Sequence, residues 1–414
     1  MNLASLLLAL LAIFAAAKLF GELAERIGQP AVLGEMFGGI VIGVSGLHLI
    51  DPHEPILHLL SEVGVLLLLF LIGLETDLNR LLSVGGASAA VAIAGVLLPL
   101  AAGYGVGYWL GYPTTVSVFL GAALTATSVG ITARVLSDLG HLKSDESQVV
   151  LGAAVIDDIL GLVLLTVISA VAAGEPLTVP GVSKVFAVAF GFVVLAIVIG
   201  SVLAPRLIAL ITRLRVAKAL FFTSIMFAFG LAYLADLAGS AVIIGAFAAG
   251  LILARTDRGR DIEHEVFDVA QFFIPIFFVF VGAAVDLRAL NPFDADTRKF
   301  FLVGLLLTAV AIIGKLAAGY AVVGNRSLRR IVIGVGMVPR GEVGLIFAQL
   351  GLTAGLLSSG LYSSVAMMVM ITTFMTPPLL RALLARQTPD DAGALCDVVT
   401  ESMSDNESRH ERRP

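Results

Sequence analysis

The sequence predicts an all-α polytopic membrane protein of about thirteen transmembrane helices, arranged as inverted-topology repeats and with two of the helices broken near mid-span. Three observations carry that prediction. Of 414 residues, 58% are hydrophobic and only 14% are Asp, Glu, Lys or Arg, where an ordinary soluble domain carries about a quarter. Apolar runs long enough to cross a bilayer, roughly 20 residues each, follow one another to about residue 387. Two short motifs recur further along the chain with the same shift in helix order. These features leave no room for a sizeable soluble domain and exclude a nucleic-acid binder or a soluble enzyme. The net charge of −5 says little, because in such a chain the placement of charge between loops carries the information. One cysteine, Cys396, allows no intrachain disulfide and no thiolate cluster. The six histidines lie in or near loops and termini, which disfavours a metal site, so no cofactor is expected.

Apolar runs bounded by Gly, Pro and charge clusters place helices at 3–27, 31–48, 55–75, 83–110, 114–138, 146–172, 179–204, 217–237, 240–255, 262–287, 297–323, 327–354 and 360–385. The first run lacks a positive n-region and is followed by Lys18, so it reads as a retained helix rather than a cleaved signal. With the N-terminus outside, the outer connections hold four basic residues, Lys184, Arg288, Arg298 and Lys299. The inner ones hold seventeen, among them Arg80, Arg134, Lys143, Arg206 and Arg330. The positive-inside rule therefore puts the N-terminus outside and the C-terminus in the cytoplasm; the membrane expected is a cell's inner (plasma) membrane. Residues 1–387 form one transmembrane domain. The polar tail 388–414 has the composition of a disordered segment.

The repeat shows in short strings. "LIGLETDL" (Leu71 to Leu78), closing the third helix, returns in outline as "FVGAAVDL" (Phe280 to Leu287), closing the tenth; "TSVGI" (Thr127 to Ile131) in the fifth is matched by "GEVGL" (Gly341 to Leu345) in the twelfth. Both pairs join helix n to helix n+7. An odd shift makes the copies enter the membrane from opposite sides, the plan of secondary transporters with a site at the midplane.

Charge inside the spans marks where chemistry is expected. "LGAAVIDDILGLVLL" sets Asp157 and Asp158 mid-helix. Adjacent residues point about 100° apart, so one carboxylate faces an ion path and the other a neighbouring helix. Lys315 is the only charge in "FLVGLLLTAVAIIGKLAAGYAVVG" and needs a buried anion, which Asp157 or Asp158 can supply. Two helices have weak centres. Thr125, Thr127 and Ser128 lie between Gly121 and Gly130; Pro339 and Gly341 flank Arg340, with Glu342 next. Proline and glycine loosen the backbone, and a break of this kind persists in a membrane where it lines a cavity. Arg340 and Glu342 are assigned to compensating each other or the broken ends. Glu35, Glu62, Glu75 and Asp268 are assigned interface or packing roles.

With these residues in view, the chain resembles the monovalent cation:proton antiporters, and within them the bacterial NapA-type electrogenic sodium/proton exchangers. Six ordered motifs carry the resemblance: "GQPAVLGEMFGGIVIG", "FLIGLETDL", "TATSVGITARVL", "LGAAVIDDILGL", "IIGKLAAG" and "GMVPRGEVGLI". The resemblance implies an NhaA/NapA-like fold with two crossing discontinuous helices. It also implies a homodimer joined through a dimerisation domain, and a core bundle, from helices near 83–172 and 297–385, that moves like an elevator. Residue by residue it implies that Asp158 binds the ion, that Asp157 pairs with Lys315, and that Thr127 and Ser128 stand beside the ion. The cargo would be Na+ or Li+ against H+. The potassium-efflux branch has Gln-Asp at the paired acids and a large C-terminal nucleotide-binding domain, whereas this chain has Asp-Asp and a short tail. Physics supports the same reading, since a carboxylate at membrane depth can hold either a proton or a small hard cation, and competition for one site gives exchange. An intramembrane protease is disfavoured: the acids are adjacent rather than on separate helices, and "HEVFD" at His264 lacks a second histidine for a zinc site. The inverted repeat and a lysine in the ion path argue against a passive channel. A sodium-coupled symporter would need a second polar cluster large enough for an organic ligand.

Overall fold

The computed structural model describes residues 2–52, 54–173, 179–211, 218–285, 295–322 and 328–384. The predicted tail 388–414, with Cys396, and the Asp-Leu end of the second repeat motif (Asp286, Leu287) lie outside them. Helices and no strands make up the described regular structure. In chain order they are α1 (Leu3–Arg26), α2 (Ala31–Ile42), α3 (Pro55–Glu75), α4 (Leu78–Ser83), α5 (Gly85–Trp109), α6 (Thr114–Ala123), α7 (Val129–Asp138) and α8 (Asp145–Ala173). They continue with α9 (Val179–Ile211), α10 (Ala219–Leu237), α11 (Val242–Ala254), α12 (Gly259–Ala283), α13 (Ala295–Gly319), α14 (Arg330–Gly336), α15 (Glu342–Thr353) and α16 (Ser359–Leu384). Among the described residues nine helices are long and apolar enough to cross a membrane, and α2, α6, α11 and the apolar part of α15 are shorter apolar helices.

Local chemistry sets the helix ends. The Asn2 side chain accepts from the Ser5 amide at 2.9 Å and opens α1. Asp77 accepts from the Asn79 amide at 2.8 Å and opens α4, the short turn that precedes α5. Proline stands at the start of α2, α3 and α6, where its missing N–H costs nothing. The helix expected over 31–48 stops at Ile42. There the amides of Leu47 and Leu49 fold back onto the carbonyls of Val41 and Ile42, at 2.7 and 2.9 Å. A Cβ at Gly46 would stand 2.0 Å from the Val41 carbonyl oxygen, so the apolar run that looked helical contains a turn only glycine fits.

Packing repeats between α1 to α3 and α10 to α12. α1 packs on α2 as α10 packs on α11, and α2 packs on α12 as α11 packs on α3. Close glycine contacts mark both copies. A Cβ at Gly34 would stand 2.0 Å from the Phe20 carbonyl oxygen, and one at Gly245 would stand 2.4 Å from that of Leu231; at Gly39 and Gly250 it would meet the carbonyls of Val279 and Phe70 at 2.1 and 2.2 Å. Small residues let helix backbones approach where lipid offers no hydrophobic drive for association. A second group forms around α5, which packs on α6, α8 and α13, while α13 packs on α14 and α16. α7 lies where the groups meet, touching α2, α3, α8 and α16.

We expect Gly250→Leu to lower the thermal stability of the detergent-extracted protein by well over the 1–3 kcal/mol typical of an overpacked site, because backbone, not a flexible side chain, blocks the new atoms. Gly86→Ala, at a helical position with open space around it, should leave the melting curve unchanged or raise it slightly. A melting series by size-exclusion chromatography checks both.

Candidate functional site

Two helix interruptions meet and form the site. α6 ends at Ala123 and α7 begins at Val129; α14 ends at Gly336 and α15 begins at Glu342. The breaks bond to each other. The Ser128 amide donates to the Pro339 carbonyl at 2.8 Å, and the Thr127 hydroxyl lies 3.4 Å from the Met337 carbonyl. Gly341 presses against Ser128 so closely that a Cβ there would stand 2.9 Å from the serine side chain. Thr125 turns the other way. Its hydroxyl donates to the Ala122 carbonyl at 2.8 Å, closing the end of α6, and the adjoining cleft takes its lining from Ala126 onwards.

Arg340 is fully buried at this junction. Its Nη1 lies 3.2 Å from the Ala126 carbonyl and 3.3 Å from that of Met337, one from each break, and Nη2 lies 3.5 Å from the Ala311 carbonyl on α13. A guanidinium offers five donors in a fixed fork, which suits carbonyls freed from two interrupted helices. Glu342 opens α15, and its side chain lies outside the described residues. Two further contributors were not anticipated. Thr132 donates to the Gly336 carbonyl at 2.7 Å and Thr373 to the Arg340 carbonyl at 2.6 Å. The sequence signal for Thr132 was a polar residue one helical turn after Ser128; Thr373, in a Thr-rich run of α16, had none that set it apart.

α8 brings the paired acids beside the junction, and they diverge as helix geometry requires. Asp157 is buried and faces α13, where Lys315 Nζ lies 3.4 Å from its Oδ2 with both side chains fully shielded. That separation is long for a charge-assisted hydrogen bond, and Asp157 Oδ1 has no hydrogen-bond partner among the described residues. Gly95 of α5 leaves room for the lysine head, since a Cβ there would stand 3.1 Å from Nζ. Asp158 is half-buried and borders a cleft with Thr127, Ser128, Gly341, Val65 of α3 and Phe277 of α12. The wall away from the breaks is apolar. Hence one carboxylate, hydroxyl groups and loosened backbone share a small space, an oxygen-rich setting suited to a hard monovalent cation or a proton. Among the described residues no group of three or more His, Cys, Asp or Glu side chains could hold a metal ion. The remaining acids are dispersed: Glu62 pairs with His58 at 3.4 Å on an exposed face, Glu75 accepts from Ser137 at 3.4 Å, and Asp268 is exposed.

Broken helices joined at membrane depth beside a carboxylate are the attributes of an ion-coupled transporter. Residues 7–386 match the family described as sodium/hydrogen exchanger, transmembrane. The chain belongs to that family, and by class it is a multi-pass monovalent cation:proton antiporter. It is 38% identical to the high-affinity Na+/H+ antiporter NhaS3 of Synechocystis sp., over 94% of this chain and 92% of that one. It is 39% identical to the Na+/H+-K+ antiporter GerN of Bacillus cereus, over 88% and 92%. Among solved structures, the sodium proton antiporter MjNhaP1 of Methanocaldococcus jannaschii superposes with a TM-score of 0.70 at 20% identity, over 93% of this chain and 97% of that one. That likeness is one of fold.

Removing one partner of a buried ion pair strands the other and costs about 3–5 kcal/mol. Lys315→Ala should therefore melt well below the parent protein. Combining it with Asp157→Ala should recover part of the loss, because neither charge is then left alone. Strictly additive losses in a thermal-melting cycle would mean that the two side chains are not energetically coupled.

Proposed function

We propose that this protein exchanges cytoplasmic Na+ for external protons across the cell's inner membrane, with Asp158 as the group for which the two ions compete. The observation that carries the reading is the position of Asp158, on the cleft beside Thr127 and Ser128 where the two helix breaks meet. An ionised Asp158 offsets the dehydration of Na+, and hydroxyl and carbonyl oxygens complete the shell; a proton satisfies the same carboxylate without them. If the site changes sides only when that charge is satisfied, the two gradients are coupled in opposite directions.

The remaining parts follow from the same reading. Counting α6 with α7 and α14 with α15 as single interrupted spans, and α4 as a linker, gives thirteen crossings among the described residues, with the N-terminus outside. The bundle of α5 to α8 and α13 to α16 is the moving body, sliding as an elevator against the scaffold built by α1 to α3 and α10 to α12, through which two copies pair. The duplicated glycine packing supports that division. Should Asp157 release Lys315 when Asp158 is loaded, the lysine can lose its proton, two protons then cross per Na+, and transport is electrogenic. Thr125, Pro339, Arg340 and Glu342 are assigned to supporting the breaks. Potassium is the second reading for the cargo, favoured by the likeness to GerN, whose name includes it.

Proteoliposomes carrying a proton-sensitive dye test the reading. Wild-type protein should move protons on addition of Na+, and Li+ and K+ additions rank the cations. Asp158→Asn should abolish both cation uptake and proton movement while the protein still folds, and flux near the wild-type rate would move the site elsewhere. Thr127→Ala or Ser128→Ala removes one neutral oxygen, worth about 1–2 kcal/mol. The apparent KM for Na+ should rise by roughly five- to thirtyfold, with a smaller effect on the maximal rate.

A further inference from the structure

The run "ITTFMTPP" of α16 carries three buried threonines, Thr372, Thr373 and Thr376. Two of them bond to their own helix: Thr372 donates to the Met368 carbonyl at 2.8 Å, and Thr376 to the Thr372 carbonyl at 2.8 Å. That is the usual use of a hydroxyl inside a transmembrane helix. Thr373 reaches instead to the second helix break and donates to the Arg340 carbonyl at 2.6 Å.

Two consecutive carbonyls of that break are thereby held from different sides. The Ser128 amide holds that of Pro339 at 2.8 Å, and the Thr373 hydroxyl holds that of Arg340. The next residue, Gly341, is the one pressed against Ser128, so closely that a Cβ on it would stand 2.9 Å from the serine side chain. Ser128 and Gly341 both line the cleft that Asp158 borders. The Arg340 side chain grips less tightly, with Nη atoms 3.2, 3.3 and 3.5 Å from three carbonyls and an Nε that has no hydrogen-bond partner among the described residues. The bond from Thr373 is the shorter hold on Arg340, and it acts on the main chain at the peptide that joins Arg340 to Gly341.

We infer that Thr373 is a positioning residue for the cation site: its hydroxyl fixes the Arg340–Gly341 peptide and, through it, the spacing of Gly341 and Ser128 on the rim where the cation is held. Thr373 does not itself line the cleft. With the hydroxyl gone, the Arg340 carbonyl loses that donor at a depth where water does not replace it. The peptide is then free to tilt, Gly341 no longer holds Ser128 in register, and the cation meets a poorly placed oxygen shell while the Asp158 carboxylate stays intact. The inference rests on the antiport reading above for where the cation sits.

Three variants of the full-length protein test this. Thr373→Val keeps the shape and removes the hydroxyl, Thr373→Ser keeps the hydroxyl, and Thr372→Val removes one from the neighbouring position that bonds within α16. In proteoliposomes, Thr373→Val should raise the apparent KM for Na+ by roughly three- to tenfold, the effect of one hydrogen bond, with the maximal rate within about twofold of the parent. Thr373→Ser and Thr372→Val should keep the parent KM. Melting curves in detergent at increasing Na+ give a readout that needs no transport, because a bound ion raises the melting temperature as its site fills. The Na+ concentration giving half of that rise should move by a similar factor in Thr373→Val and stay put in the other two. A bond that merely stiffens the fold would lower the melting temperature at every Na+ concentration and leave KM and half-saturation unchanged. That result would overturn the inference, as would an equal KM shift in Thr372→Val or a Thr373→Ser protein as impaired as Thr373→Val. If Thr373→Val does not fold, Thr373→Ala against Thr373→Ser decides, since those two differ by the hydroxyl alone. Failure of the antiport reading looks different: the wild type would show no Na+-driven proton flux, while the Na+-dependent melting shift would remain and still separate the variants. A wild type with neither response would overturn both.

Discussion

A bilayer core offers no water to a carbonyl or amide that leaves its helix, so a transmembrane helix can be interrupted only where protein supplies the missing partners. This protein interrupts two helices at one place and lets each supply the other. The Ser128 amide reaches Pro339, Thr127 and Thr132 turn towards the end of α14, and Arg340 collects carbonyls from both breaks and from α13. Neither interruption could stand alone at that depth. Joining them leaves polar backbone and hydroxyl groups concentrated beside a cleft, which an intact helix could not provide.

Charge is distributed by the same economy. Two adjacent carboxylates on one helix cannot share a direction, and each meets a different environment: Asp157 faces Lys315 in a fully shielded pocket, Asp158 a cleft bordered by the breaks. A buried pair of opposite charges stabilises little in net terms, because desolvation consumes most of the attraction, yet it heavily penalises losing either partner. Arg340 lies close enough to add its field at Asp157 while spending its hydrogen bonds on carbonyls, so its position is held by geometry rather than by a single counter-ion.

The helices α1 to α3 and α10 to α12 use one packing scheme twice. Gly34 and Gly39 on α2 do for α1 and α12 what Gly245 and Gly250 on α11 do for α10 and α3. Contacts made through backbone leave little freedom to slide, whereas at the boundary between α7 and α3 the side chains of Val65 and Leu69 meet Gly130.

Much of this was legible in the sequence, because its causes are local. Apolar runs of spanning length follow from the thickness of a bilayer, proline and glycine mark the two breaks, and a charge within an apolar run stands out wherever it sits. The recurrence of "TSVGI" as "GEVGL" pointed to two related helices before any contact was known. Where the chain turned unexpectedly, at Gly43 to Ile50, an apolar composition hid a turn that only backbone contacts could reveal. Tertiary structure alone decided which partners meet. It set Lys315 opposite Asp157 rather than Asp158, aimed Thr125 back at its own helix while Ser128 bridged the breaks, brought in Thr132 and Thr373, and left Glu35 Oε2 with no hydrogen-bond partner among the described residues. These pairings join residues up to about two hundred positions apart. Composition and periodicity report what each segment prefers to be surrounded by, and only the folded chain determines which atoms do the surrounding.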